Sequence, residues 1–406
     1  MSERISDMIR YVGVNDLAKD IFESQWPLLF GVSYNSYLIV DEKIALVDTA
    51  AANFSNEFFN NIRAEIGERK INYLIVNHME PDHSALISFI RAKYPDIVIV
   101  TNAKAVPMIE GFNGITDKIH IVKEGDSLSL GHATLKFYMI PMVHWPETMV
   151  TYLEDEKTLF SGDAFGSFGA LESGIQHSNV HLYSHKTPLP ESISSSDAYS
   201  AFEDEMIRYY SNIVGKYGPS VQAALKKLGG LSIARICSTH GPIWEKQVNK
   251  VVSLYDRLSK YETSKGVCIV YGSMYGNTEK AAFALASELE KRNIRFVIHN
   301  LATENASFAY RDVFKYDTLA VGSPTYNNDI FPPVRNFLHG VFSRMVKNHK
   351  FVSFGSYSWV GGSVKMMNEM AKCAGFELIS DGLSFKHGYS HSKCDFSSII
   401  DSISIN

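Results

Sequence analysis

No stretch of this sequence approaches the roughly 18–20 consecutive apolar residues that a membrane-spanning helix requires, so no membrane partner is expected. Residues 1–16 carry no apolar core of the kind that directs secretion, and a cytoplasmic location is expected. Cysteine is scarce: Cys237, Cys268, Cys373 and Cys394 lie far apart and form no CxxC pair. That spacing excludes rubredoxin-type iron, zinc-ribbon and thioredoxin-type sites within these residues. Sparse free thiols also fit a reducing compartment. A basic excess is missing too, since 39 Lys and Arg against 44 Asp and Glu leave a net charge of −5. Proteins that hold nucleic acid usually carry a basic stripe, so nucleic acid is not an expected partner.

What is present is ordinary globular chemistry. Hydrophobic residues make up 45% and charged residues 20%, enough apolar material for a full core. A chain of 406 residues is long enough for two or three domains. The first part, 1–250, shows short β-branched runs at 37–40, 44–47, 71–76 and 97–100, bounded by Asp, Gly, Asn or Pro. Further runs follow at 134–142, 149–153, 158–161 and 234–238, with helical patterns at 55–66, 84–93 and 197–214. This mixture predicts a layered α/β domain. A helix and polar connector at 251–264 lead into a second domain at 265–406. There, buried-type strands at 266–272, 296–301, 318–322 and 350–355 alternate with helices such as 278–292, the rhythm of a doubly wound parallel sheet.

The run 71–76 leads into Asn77-His78-Met79-Glu80-Pro81-Asp82-His83. His78, Glu80 and Asp82 alternate, His83 follows, and Pro81 argues against a regular helix through the stretch. Imidazole and carboxylate without thiolate suit iron, manganese or zinc. A solvated surface loop is the alternative for this stretch alone. Three other strand-like runs end similarly, in Val143-His144-Trp145-Pro146, Ser161-Gly162-Asp163 and Thr239-His240-Gly241-Pro242. The full series, HxExDH…H…D…H, is far more specific than any one histidine.

In the second part, the strand ending near Gly272 is followed by Ser273, Met274, Tyr275, Gly276, Asn277 and Thr278, and then a helix. Hydroxyls, an amide and free backbone N–H groups at a helix N-terminus make a phosphate cradle. No basic residue lies inside this loop, which suits a single terminal phosphate better than a triphosphate. Two more strand-end loops carry Pro324, Thr325, Tyr326, Asn327 and Asn328, and Ser356, Tyr357, Ser358, Trp359 and Gly361. Tyr326 and Trp359 are suited to flank a flat ring, and ligands of doubly wound sheets bind at the carboxyl ends of strands.

The metal series resembles the metallo-β-lactamase motif HxHxDH, with Glu80 where the second histidine usually stands. Together with 33–38, 163–171 and the flavodoxin-like second part, the whole chain resembles the flavodiiron proteins. The resemblance implies a metallo-β-lactamase-like αββα sandwich followed by a flavodoxin-like doubly wound sheet. It implies two irons, one with His78, Glu80 and His144, the other with Asp82, His83 and His240, bridged by Asp163. Glu80, Asp82 and Asp163 bring three negative charges against the four of two ferrous ions, which suits a redox metal better than zinc. It implies FMN in the three loops above, although Ser358 stands where the family commonly has glycine and an acidic residue common near Gly362 is absent. The implied activity is electron transfer from an external donor, such as rubredoxin or its equivalent, through FMN to the diiron site. That site reduces O₂ to water and NO to N₂O; O₂ is expected to be the main substrate. The chain ends at Asn406, soon after the flavodoxin-like part, so the donor is expected to be a separate protein. A head-to-tail homodimer, or a dimer of dimers, is also implied. The alternatives are a dizinc hydrolase fused to a flavodoxin-like binding domain, against which Glu80 argues, and a non-catalytic redox sensor. His120, His132, His299, His339, His349, His387 and His391 fall in no ligand-like cluster, and His177, His181 and His185 read as exposed loop.

Overall fold

The computed structural model describes residues 3–170, 198–390 and 395–404. His177, His181, His185, His391, Cys394 and the serine-rich stretch 192–196 lie outside them. The chain divides into two compact units, Met1–Tyr210 with Tyr217–Asp256, and Ser211–Lys216 with Arg257–Asn406.

The first unit contains two large sheets. One runs in the order Glu3–Arg4, Ile9–Tyr11, Tyr37–Val40, Ile44–Val47, Tyr73–Ile75, Val98–Asn102, Ile119–Val122. The other runs Ser127–Ser129, Thr134–Met139, Met149–Leu153, Thr158–Gly162, Arg235–Ser238. Their inner faces meet in the core, where the Tyr37 ring packs 5.4 Å from Phe160. Strands Ile44–Val47, Met149–Leu153 and Thr158–Gly162 are buried at every position, which explains their unbroken apolar and β-branched character. The helix Ser55–Ile66 turns Phe58, Ile62 and Ile66 inward at helical spacing.

No helix runs through 77–83, as Pro81 led one to expect: the short helical turn Pro81–Ser84 begins at Pro81, at the first position, where its missing N–H would have had no partner anyway. One local expectation fails for an identifiable reason. The helix expected over 197–214 is α-helical over Ala198–Tyr209 and then widens into a π-helical turn, Tyr210–Val214. Sequence periodicity at 3.6 residues does not report such a turn.

The second unit is a parallel sheet ordered Phe296–Asn300, Ser264–Tyr271, Tyr316–Gly322, Lys350–Tyr357, the last paired with both Glu377–Leu378 and Leu383–Lys386. Its central strands are buried on both faces. The helix Asn277–Lys291 buries Thr278, Ala281, Ala282, Leu285, Ala286 and Leu289, one continuous stripe. From Ser264–Tyr271 the chain crosses first to one neighbour, Phe296–Asn300, and then to the other, Tyr316–Gly322. The order therefore reverses beside the first strand, and a crevice opens at its carboxyl end.

Within the helix Pro332–Ser343, Gly340 faces the Tyr310 ring, which is stacked on Phe337 at 5.3 Å and 8° and covered by the Arg344 guanidinium at 3.8 Å. A β-carbon at Gly340 would fall 2.6 Å from Tyr310 Cζ, and that ring is held on both sides. Glycine to alanine inside a helix ordinarily stabilises by about 1 kcal/mol. Here Gly340→Ala is expected to destabilise instead, by about 1–3 kcal/mol, as overpacking does. Urea unfolding of the second unit checks the sign, and a stabilised variant would contradict this packing.

Candidate functional site

All four candidate ligand stretches converge on one pocket of the first unit. The loop after Tyr73–Ile75 is fixed by Asp48, whose carboxylate accepts from the Asn77 backbone N–H (2.8 Å) and side-chain amide (3.1 Å). Thr49 donates to the His83 carbonyl at 2.8 Å from both its backbone and its hydroxyl. The strand Arg235–Ser238, which includes the buried Cys237, delivers His240. The segment 33–37 is the template for that loop. The Asn35 amide donates to the Ser238 and Gly241 carbonyls (2.9 and 2.8 Å), the Tyr37 hydroxyl donates to Ser238 O (2.7 Å), and Ser33 Oγ accepts from Gly241 N–H (2.8 Å). Gly241 sits at φ +79°, and a β-carbon there would meet Ser167 Cβ at 2.8 Å. Glycine is thus required for the turn that aims His240.

Asp163 divides the pocket in two. Its Oδ2 lies 3.1 Å from His144 Nε2 and 3.5 Å from His78 Nε2, and Glu80 Oε2 lies 3.0 and 3.6 Å from the same two nitrogens. Its Oδ1 lies 3.3 Å from His83 Nε2 and 3.7 Å from His240 Nε2. Asp82 stands on that side, 3.2 Å from His240 Nε2 and 3.6 Å from His83 Nε2. His83 also comes within ligand range of His78, Glu80 and Asp163, so it borders both halves. The structure thus brings together His78, Glu80, Asp82, His83, His144, Asp163 and His240.

This pocket fits cations. His78 Nε2, His83 Nε2, His240 Nε2 and both Asp82 carboxylate oxygens are buried without a hydrogen-bond partner. Each such group costs about 1–3 kcal/mol when left unsatisfied, so several of them facing one space call for an occupant with empty orbitals. The imidazoles are also oriented from behind. His78 Nδ1 bonds Glu147 Oε1 at 2.7 Å, and His240 Nδ1–H donates to Ser33 O at 2.7 Å. Glu147 further accepts from Met79 N–H at 3.0 Å. The Thr239 hydroxyl donates to Asp163 Oδ1. Sequence reasoning missed Glu147; a carboxylate three residues beyond His144 on a tight loop was the available signal. Aromatic rings line the walls: Phe22, Tyr34 and Tyr209 lie 5.4–5.8 Å from the His240 ring, and Trp145 lies 5.1 Å from His78. Tyr210, the next residue after Tyr209, instead packs on Tyr255 at 5.0 Å.

The second unit holds a cleft of about 410 Å³ at the carboxyl ends of its strands. Of the expected flavin-binding residues, Ser273, Met274, Tyr275, Asn277, Thr278, Pro324, Thr325, Tyr326, Asn327, Asn328, Ser356, Tyr357, Ser358 and Trp359 line it. Gly276 and Gly361 do not line it. Gly276, at φ +80°, caps the helix, and Gly361 lines the neighbouring groove. Val360 and His387 line the cleft as well. Ser273 Oγ accepts from Gly276 N–H (3.1 Å), and the Thr278 and Ser356 hydroxyls meet at 3.0 Å. Asn327 and Asn328 both have positive φ and form the two-residue turn of a small hairpin that carries Tyr326. Tyr275 and Trp359 are 87% and 81% exposed at the rim. His299, by contrast, is structural, held between Glu304 (2.7 Å) and Asp312 (2.9 Å).

In the metal pocket, burial opposes a charged His78, but Glu147, Glu80 and Asp163 outweigh it and raise the imidazole to about 10. Burial is likewise overcome at His83, raised to about 9 by Asp82 and Asp163, and at His144, raised to about 10 by Asp163 and Glu80. Without metal these imidazoles therefore hold protons at neutral pH. Raised above the unfolded value of about 6.5, they stabilise the metal-free fold most below that pH, and the contribution is lost as pH rises through 9–10. A metal must displace the same protons, so binding should release more than one proton per chain at pH 7 and tighten as pH rises. Adding ferrous or manganous ion to metal-free protein in weak buffer with an indicator dye measures this. Metal uptake without proton release would contradict the charge state.

Comparison with known proteins agrees with both halves. Residues 32–241 match the ODP family beta lactamase model and residues 269–395 match the flavodoxin model. The chain is 30% identical over 385 residues to the anaerobic nitric oxide reductase flavorubredoxin of Aeromonas hydrophila, covering 93% of this chain and 74% of that protein. Rubredoxin oxygen:oxidoreductase from Desulfovibrio gigas superposes with a TM-score of 0.87 at 28% identity, covering 100% of this chain and 96% of that one. The flavodiiron protein from Giardia intestinalis gives 0.87 at 25% identity, covering 99% and 94%. These likenesses favour redox chemistry over the hydrolase alternative. The cofactors expected from the sequence, two irons and FMN, and the fold class expected with them, are those of this group: the chain belongs to the flavodiiron family of oxidoreductases.

Proposed function

We propose that this protein passes electrons from an external donor, rubredoxin or its equivalent, to a diiron centre that reduces O₂ to water and, as a second activity, NO to N₂O. The observation that carries the reading is the division of Asp163, with one carboxylate oxygen in each of two sets of imidazole and carboxylate groups. In this reading His78, Glu80 and His144 would hold one iron, Asp82, His83 and His240 would hold the other, and Asp163, with an oxygen in each set, would be shared. When bound, FMN supplies stored electrons and the irons supply the open positions at which a diatomic gas is reduced. The chain's own residues fix the geometry. Glu147 sets the tautomer of His78, the Ser33 carbonyl sets that of His240, and Thr239 orients Asp163. Phe22, Tyr34, Trp145 and Tyr209 keep the pocket dry, which strengthens every charge interaction inside it. In the other unit, Ser273–Thr278 would offer hydroxyls and N–H groups to the flavin's phosphate, and Tyr326 and Trp359, which line the same cleft, would flank its ring.

We assign the first domain to 1–250, the linker helix and connector to 251–264, and the flavin domain to 265–406. Among the described residues no helix is long and apolar enough to cross a membrane, and a cytoplasmic protein is the reading that its scattered thiols support.

Asp163→Asn removes the bridging charge while leaving the second unit untouched. It should lower the donor-driven consumption of both O₂ and NO by about 100-fold or more, at unchanged flavin content. Metal analysis beside the two rates tests this. A protein that binds two zincs, no iron, and still turns over fully would sink the proposal.

A head-to-tail homodimer, or a pair of such dimers, is the assembly we propose, supported by the exposed Tyr275 and Trp359 at the flavin cleft. Co-expressing a His240→Ala chain with one altered at Asn277 and Thr278 gives mixed dimers with one intact flavin cleft and one intact metal pocket on different chains. Such dimers should regain activity, and dimers that stay inactive with both cofactors bound would exclude transfer between chains.

A further inference from the structure

The helix Asn277–Lys291 offers free N–H groups to an anion, but it also carries an acid in its first turn. Glu279 Oε1 accepts a hydrogen bond from the Tyr271 hydroxyl at 2.9 Å, and a β-carbon at Gly276 would stand 3.8 Å from Glu279 Oε2. A phosphate in this cradle therefore meets a nearby carboxylate, and 273–278 contains no cation to offset it. Lys280, one residue further along the helix, and Lys386 do not line the cleft.

Among the described residues that do line it, His387 is the one side chain able to carry a positive charge. It arrives from the strand Leu383–Lys386, which pairs in parallel with Lys350–Tyr357 and so releases its next residue at the same end of the sheet. The His387 N–H donates to Tyr357 O at 2.8 Å, which ties the residue to the loop that carries Trp359. Its successor, Gly388, lies against the start of the helix, where a β-carbon would be 3.8 Å from Asn277 Oδ1. His387 itself adopts φ +65°, a left-handed conformation that costs a non-glycine residue about 1 kcal/mol or more. The backbone thus holds a strained turn at a residue whose imidazole is the one cationic group among the described residues that line the cleft.

We propose that His387 is the cationic partner of the flavin's phosphate and that it sets the preference of this cleft for FMN over riboflavin. The inference rests on the FMN reading above and adds to it a specificity residue from outside the three loops. Imidazolium to phosphate is a charge-assisted hydrogen bond, stronger than the hydroxyl and amide contacts of the cradle. Because the site is open to solvent, salt should screen it.

The test titrates flavin-free protein with FMN and, separately, with riboflavin, following flavin fluorescence. His387→Asn keeps a residue that tolerates the left-handed backbone but removes the charge. It should weaken FMN binding by about tenfold and leave riboflavin binding within about twofold. The loss should shrink at high salt, and His387→Lys should keep FMN binding within about threefold of the parent. A His387→Asn protein that binds FMN as tightly as the parent overturns the proposal. So does one that loses FMN and riboflavin equally, since that pattern places His387 at the ring. A parent protein that binds neither flavin overturns the FMN reading itself.

Discussion

Glu80, Asp82 and Asp163 are drawn with four imidazoles into one largely buried space, and several loops of the first unit are braced to hold them there. Two like charges 4 Å apart repel by about 4 kcal/mol at an effective dielectric of 20, so such a cluster does not assemble unaided. Protons on the imidazoles compensate when no metal is present, and cations do so otherwise. The surrounding frame answers the same constraint. Asp48 locks the 77–83 loop, 33–37 locks the 238–241 loop, and Glu147 adds a fourth carboxylate to orient an imidazole. Each support comes from a different strand end, so the pocket can form only after the whole unit has folded.

The cleft of the second unit rests on other physics. Its loop 273–278 offers backbone N–H groups, hydroxyls and an amide, which need no change of protonation to receive a ligand. Its shape comes from left-handed backbone conformations. Gly276 at positive φ opens the helix, and the paired Asn327 and Asn328 turn the hairpin that carries Tyr326. One unit therefore stores charge before its cofactor arrives, and the other stores shape.

Sequence pattern singled out the residues that converge in the first unit because strand, candidate ligand and breaker recur together four times, a coincidence that a lone histidine does not have. It located the helix Ser55–Ile66 to the residue because apolar spacing is strong there and Gly67 ends it. It did not reveal Glu147, whose importance depends on a carboxylate meeting an imidazole 69 positions away in the chain. Tyr209 and Tyr210 are neighbours that look alike, and only the packing after the helix decides that Tyr209 faces His240 while Tyr210 faces Tyr255. His387 lay in no recognisable motif, and its place at the cleft follows from the parallel pairing of Leu383–Lys386 with Lys350–Tyr357. The short N-terminal strands, such as Ile9–Tyr11, were too brief to show a period.

Cys237 sits in the strand that delivers His240, three residues before that imidazole. Burial pushes its thiol far above the ordinary cysteine range, and the charge of Arg235 does not reverse this. Oxidants attack the thiolate rather than the thiol, and they need access to the sulfur. A sulfur kept protonated and enclosed can therefore belong to the strand that delivers His240 without being consumed by oxidants. The chemical survival of that thiol, as distinct from the folding stability of the unit, depends on how well the strand stays closed.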